Sequence, residues 1–124
     1  MTENEGRTAR TDALRALVEL QVEPHQAAAR LREYSWDSDE DLVTLTAADA
    51  VRVLNAYLSG QMDAADVQLW AEALEGRDDL GFDSGCGDRL KDFLFEFATP
   101  EVNEPITPQL AERWLSQLGH SDSK

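Results

Sequence analysis

Asp37-Ser38-Asp39-Glu40-Asp41 sets oxygen donors in the alternation that opens an EF-hand calcium loop. Such a loop then needs glycine at its sixth position for the sharp turn and a bidentate glutamate at its twelfth. Leu42 and Ala48 stand there instead, so only weak, unspecific divalent binding is expected. A structural zinc site takes four Cys or His ligands, and the chain offers one cysteine, Cys86, and two histidines, His25 and His120. Cys86 lies between Gly85 and Gly87 among acids that disfavour the reactive thiolate, and no Gly-Lys-Ser/Thr follows to cradle a phosphate. His25 falls in the first turn of a predicted helix beside Pro24, a surface position. Carboxylate pairs are abundant, but among 25 acids close pairs arise by chance. No nucleophile, base and orienting group fall together, so the expectation is a non-enzymatic protein with no cofactor and no metal centre.

The acids are not evenly spread. From Glu33 to Asp88 there are fourteen acidic and two basic residues, a balance of −12 out of the chain's −14. Residues 1–32 are neutral, with five of each sign, and residues 89–124 carry six acids and four bases. Charge distributed this way bears on partners rather than on fold. It repels nucleic acid and anionic lipid and attracts basic proteins. A basic protein partner is therefore expected, with no direct nucleic-acid or membrane contact.

The elements that must position these acids are legible from helix punctuation. With 42% hydrophobic residues over 124 positions, the chain can bury a core of its own, and a single domain is expected. Thr46-Ala47-Ala48-Asp49 has the form of a capping box, followed by the apolar stripe Val51, Val53, Leu54, Tyr57, Leu58 and then Gly60 as terminator. Asp63 and Asp66 start a second helix that carries Val67, Leu69, Trp70 and Leu74 and stops at Gly76. Thr107-Pro108 starts a last helix with Leu110, Trp114, Leu115 and Leu118, closed by Gly119. Phe93-Leu94-Phe95-Glu96-Phe97 alternates as a strand would, but its charged N-terminal flank and Thr99-Pro100 after it favour helix. The prediction is all-α: six helices near residues 11–20, 24–33, 47–59, 64–75, 88–98 and 108–118, with no sheet of consequence and tails at 1–9 and 120–124. Its core is Leu17, Leu31, Val53, Leu54, Leu69, Trp70, Phe93, Leu94, Phe97, Leu110, Trp114 and Leu118.

Three helix starts share a pattern: Gln21-Val22-Glu23-Pro24, Gln61-Met62-Asp63-Ala64 and Pro105-Ile106-Thr107-Pro108. Ala13–Leu17 also matches Ala50–Leu54. Three stacked αα-hairpins would produce this, and so would independent helices that share staple and cap chemistry.

Two connections are longer and more acidic than helix packing requires, Tyr34–Asp41 and Arg77–Asp88. Loops of this kind make contact surfaces. Asp37, Asp39, Glu40, Asp41, Asp78, Asp79 and Asp83 are the expected electrostatic contacts, with Trp36 and Phe82 as aromatic anchors.

Leu45–Leu118 resembles the small acidic immunity proteins that bacteria carry beside contact-dependent growth-inhibition toxins. The resemblance lies in Leu45-Thr46, Tyr57-Leu58-Ser59-Gly60, Asp63 with Leu69-Trp70-Ala71, Glu75-Gly76-Arg77-Asp78-Asp79, and Phe95–Glu101 followed by Pro105-Ile106-Thr107. It implies a cytoplasmic inhibitor that binds its cognate toxin domain and has no catalysis of its own. The polar, acidic N-terminus, without the basic and apolar regions of a secretory signal, fits a cytoplasmic location. The expectation is an immunity-type inhibitor that docks on and neutralises a basic toxin or nuclease domain. The alternative is a regulatory adaptor or nucleic-acid mimic that occupies a basic groove on a host or phage protein.

Overall fold

A computed structural model describes residues 2–34, 41–85 and 87–122. These form six helices and two three-residue strands: α1 (Thr2–Val18), α2 (Pro24–Leu31), β1 (Val43–Leu45), α3 (Ala47–Leu58), α4 (Ala64–Leu74), β2 (Leu80–Phe82), α5 (Gly87–Ala98) and α6 (Pro108–Asp122). The protein is a small, predominantly helical bundle, as expected. No helix among the described residues is long and apolar enough to cross a membrane.

Cap chemistry sets the helix starts. Asp49 N–H donates to Thr46 Oγ1 at 3.2 Å and Thr46 N–H donates to Asp49 Oδ2 at 3.0 Å, which closes the box ahead of α3. Asp63 and Asp66 repeat it ahead of α4, at 2.9 and 3.1 Å. Glu23 caps α2 through Gln26 N–H at 3.2 Å, and Thr107 caps α6 through Leu110 N–H at 3.2 Å. Replacing Thr46 with alanine is expected to lower stability by about 1 kcal/mol, read from the urea midpoint with an unchanged slope. A midpoint equal to wild type would mean that the box is not closed in solution.

The terminal helices depart from expectation. α1 begins at Thr2 rather than near Thr11, so most of the supposed N-terminal tail continues the helix. α6 continues through Gly119 to Asp122 rather than ending there. A glycine stops a helix only where the chain must turn left-handed, as at Gly60 and Gly76, whose φ angles are +88° and +87°.

The first two helix pairs share one turn at a spacing of 40 residues. Gln21 N–H donates to Ala16 C=O at 2.9 Å, and Gln61 N–H donates to Ala56 C=O at 2.9 Å. Leu20, at φ 56°, holds the left-handed position that Gly60 holds in the second pair. The shared turn sets the register, so Ala13 and Leu14 correspond to Val53 and Leu54, and the Ala13–Leu17 with Ala50–Leu54 match is corrected by three residues. Thr99–Thr107 connects α5 to α6 by a different path, in which Thr99 C=O accepts from Val102 and Asn103 N–H.

α2 packs on α1 and α4, α5 on α4, and α6 on α3. Between them lies one core containing eleven of the twelve expected residues; Leu69 is only partly buried. Phe93 on α5 is the hub of an aromatic cluster, its ring centroid 6.0 Å from Trp70 on α4, 4.7 Å from Phe97 and 5.5 Å from Trp114 on α6. Within α5, Phe93, Leu94 and Phe97 are buried while Phe95 is 48% exposed, the 3.6-residue pattern rather than strand alternation.

The supposed loop between α4 and α5 contains β2. It runs parallel to β1 with Val43 opposite Leu80, Thr44 opposite Gly81 and Leu45 opposite Phe82. Leu42 N–H donates to Asp79 C=O at 2.7 Å at one end, and Asp83 N–H donates to Leu45 C=O at 3.0 Å at the other. Val43, Leu45 and Leu80 face the core, which gives this short pairing its support.

Candidate functional site

The strand pair sets Asp41, at the entry to β1, beside the acidic chain through β2. A cleft of about 600 Å³ opens there, bounded by the end of α4, the chain through β2 and the start of α5. Asp41, Glu75, Asp78, Asp83 and Asp88 line it, against Arg77 and Lys91 as its basic residues. Leu80, Phe82 and Leu94 supply apolar surface. Five carboxylates around one concavity focus a negative field that scattered surface acids do not.

Asp41, Phe82 and Asp83 each make a specific contact in the cleft wall. Asp41 packs over Gly81 so closely that a Cβ on that residue would stand 2.5 Å from Asp41 Oδ2. Close approach, rather than unusual backbone, is why glycine suits position 81. Asp83 Oδ1 accepts from Gly85 N–H at 3.3 Å, a local turn that steadies the carboxylate beside the cleft. Phe82 is half-buried, and Lys91 Nζ stands 5.5 Å from its ring centroid. The ammonium lies within cation–π range of that ring.

The expected contact residues divide three ways. Asp41, Asp78, Phe82 and Asp83 all line the cleft, with Asp41 and Asp78 exposed. Trp36, Asp37, Asp39 and Glu40 lie outside the described residues, as does Cys86. Asp79 is corrected: it is fully buried and presents nothing to a partner. Its Oδ1 accepts from Arg77 Nε–H at 2.8 Å, and its Oδ2 accepts from Arg10 Nε–H at 2.8 Å and from an Arg77 terminal N–H at 3.1 Å. Burial by itself would raise the Asp79 pKa; hydrogen bonds from Arg77 and Arg10, with their charges, outweigh it and hold the carboxyl below its ordinary value.

Glu75, Asp88, Lys91, Arg77 and Arg10 were not read as site residues from the sequence. Arg77 carried a signal, since only Arg52 and Arg77 are basic between Glu33 and Asp88 and Arg77 directly precedes two aspartates. Arg10 carried none, because its partner is 69 residues away.

Glu23, His25 and Asp66 place possible metal-ligand atoms within 4.8 Å of one another. Their groups already serve the helix starts. His25 Nδ1 hydrogen-bonds Glu23 Oε2 at 2.7 Å, and that bond chiefly holds the Glu23 carboxyl below its usual value. Asp66 completes the box of α4. His25 is exposed, as its sequence position implied.

A second cavity of about 320 Å³ lies between α2 and α4, with Ala28, Leu31, Tyr34, Leu69 and Ala73 as its apolar lining. Arg77 contributes to both cavities, and none of the described contact residues Asp41, Asp78, Phe82 and Asp83 lines the second.

The chain matches no protein family, no curated protein and no solved structure with which it was compared.

Proposed function

We propose that this chain is a non-enzymatic binding protein of the immunity type, which docks on a basic toxin or nuclease domain and neutralises it in the bacterial cytoplasm. The observation that carries the reading is the cleft itself: Asp41, Asp78 and Asp83 meet beside Phe82 although 36 residues of sequence separate Asp41 from the next of them, Phe82 and its neighbours being brought across by the strand pair. The carboxylates steer and orient a cationic surface, and Phe82 with Leu80 and Leu94 offers apolar area on which it can settle. Resemblance to immunity proteins over Leu45–Leu118 points the same way and names the class of partner.

The test is the association rate with a basic toxin domain encoded beside this chain's gene, followed against ionic strength. Reversing Asp41, Asp78 and Asp83 to lysine is expected to slow association about 10–100-fold at low salt, an effect that added salt erodes. Reversing the exposed Glu101, Glu104 and Glu112 on the far side of the sequence is expected to change it by less than about threefold. Equal losses in the two sets would reduce the acids to a solubility role and defeat the docking reading.

A further inference from the structure

Arg10 lies on α1, none of whose described side chains lines the acidic cleft. Its guanidinium nevertheless reaches Asp79, in the segment that walls the cleft, with only 18% of the side chain exposed. Asp79 ties together three parts of the fold. Its carboxylate is held by Arg10 from α1 and by Arg77 from the exit of α4, and its backbone carbonyl accepts the Leu42 N–H that leads into β1. Asp79 stands directly between Asp78, exposed on the cleft, and Leu80, buried at the head of β2. Asp41, next to Leu42, packs over Gly81 within the same assembly.

We propose that the buried Arg10–Asp79–Arg77 cluster is a latch that sets the acidic wall of the cleft, which makes Arg10 a positioning residue for partner docking; the inference rests on the docking reading above. A cluster of this kind suits the task. A guanidinium fork fixes a carboxylate in direction as well as distance. Asp79 turned inward leaves Asp78 turned outward. The residue that supplies the direction need not touch the partner.

The latch makes a prediction opposite in sign to bulk electrostatics. Arg10→Met removes a positive charge and makes an acidic protein more acidic, so the summed field alone would tighten binding of an oligolysine peptide at low salt. Loss of the latch instead weakens it, by about tenfold, within the range seen for residues that touch neither ligand. Hydrogen exchange supplies a readout independent of binding. The Leu42 and Asp83 amides, which bond to Asp79 and Leu45, exchange about tenfold faster in Arg10→Met, while the Ala111 amide in α6 is unchanged. Arg10→Lys restores most of both. Leu118→Ala, destabilised in the core of α6, serves as the control for loss of stability alone and keeps wild-type affinity. Arg10→Met binding as tightly as wild type or more tightly, or leaving the Leu42 and Asp83 amides unchanged, overturns the latch. Wild-type protein that binds oligolysine no better than the Asp41, Asp78 and Asp83 reversal defeats the docking reading, and exchange at Leu42 and Asp83 then decides the latch by itself.

Discussion

Replacing Trp70 with alanine is expected to lower the unfolding free energy by about 3–5 kcal/mol, a large part of what a domain of this size has. Trp70 is fully buried on α4, its ring edge-on to Phe93 at 6.0 Å. Its indole N–H donates to Leu17 C=O at 2.9 Å, which joins α4 to the end of α1 across the core. Alanine removes both the ring volume and the hydrogen bond; phenylalanine keeps most of the volume and removes the bond. Trp70→Phe is therefore expected to cost less, mainly the loss of a buried hydrogen bond at about 0.5–1.5 kcal/mol together with a small void. Urea unfolding followed by far-ultraviolet circular dichroism gives both values. A Trp70→Ala protein within about 1 kcal/mol of wild type would show that the α4 stripe does not face the core.

Helix structure was legible because its determinants are local. Thr46 and Asp49, or Asp63 and Asp66, satisfy backbone donors within four residues of one another, so both the signal and the structure it reports lie in one short window. The stripe of α5 could be separated from a strand by what followed it. Leu94 buried between Phe93 and Phe97, with Phe95 outside, is the outcome that the flanking charges and Thr99-Pro100 implied.

The strand pair was not legible, for the opposite reason. Val43–Leu45 and Leu80–Phe82 are too short to declare themselves, and neither could form alone. Their pairing depends on α3 and α4 folding between them to return the chain alongside itself. The same crossing creates the cleft. Asp41, Asp78 and Asp83 were identifiable as acids in long connections, but their meeting beside Phe82 is a property of the topology. Asp79 shows the limit most clearly. By type and by neighbours it looks like Asp78, yet one is exposed and the other buried against two arginines. What separates them is Arg10, which nothing near Asp79 in the sequence announces.

Acid is expected to destabilise the protein through Asp79, with a sign fixed by the direction of its shift. The folded-state pKa lies below the ordinary aspartate value of about 3.9 that the unfolded chain would show. The unfolded chain therefore binds this proton first as pH falls. Stability from the charged carboxylate is fully present above the unfolded value and is lost as pH drops through the folded one. Between about pH 5 and 8 this group contributes no slope. Asp79→Asn strips the charge at every pH and leaves two guanidiniums facing a neutral amide, at an expected cost of about 3–5 kcal/mol at neutral pH. In strong acid the wild-type side chain is itself neutral, so the two proteins converge. The chain carries 25 acids, and relief of their mutual repulsion in acid works in the stabilising direction. Subtracting the Asp79→Asn curve from wild type cancels those shared contributions and leaves the latch. A stability difference that stays constant from neutral pH to about pH 2 would mean that the fold does not hold the Asp79 pKa below its unfolded value, and the ion cluster would lose its physical basis.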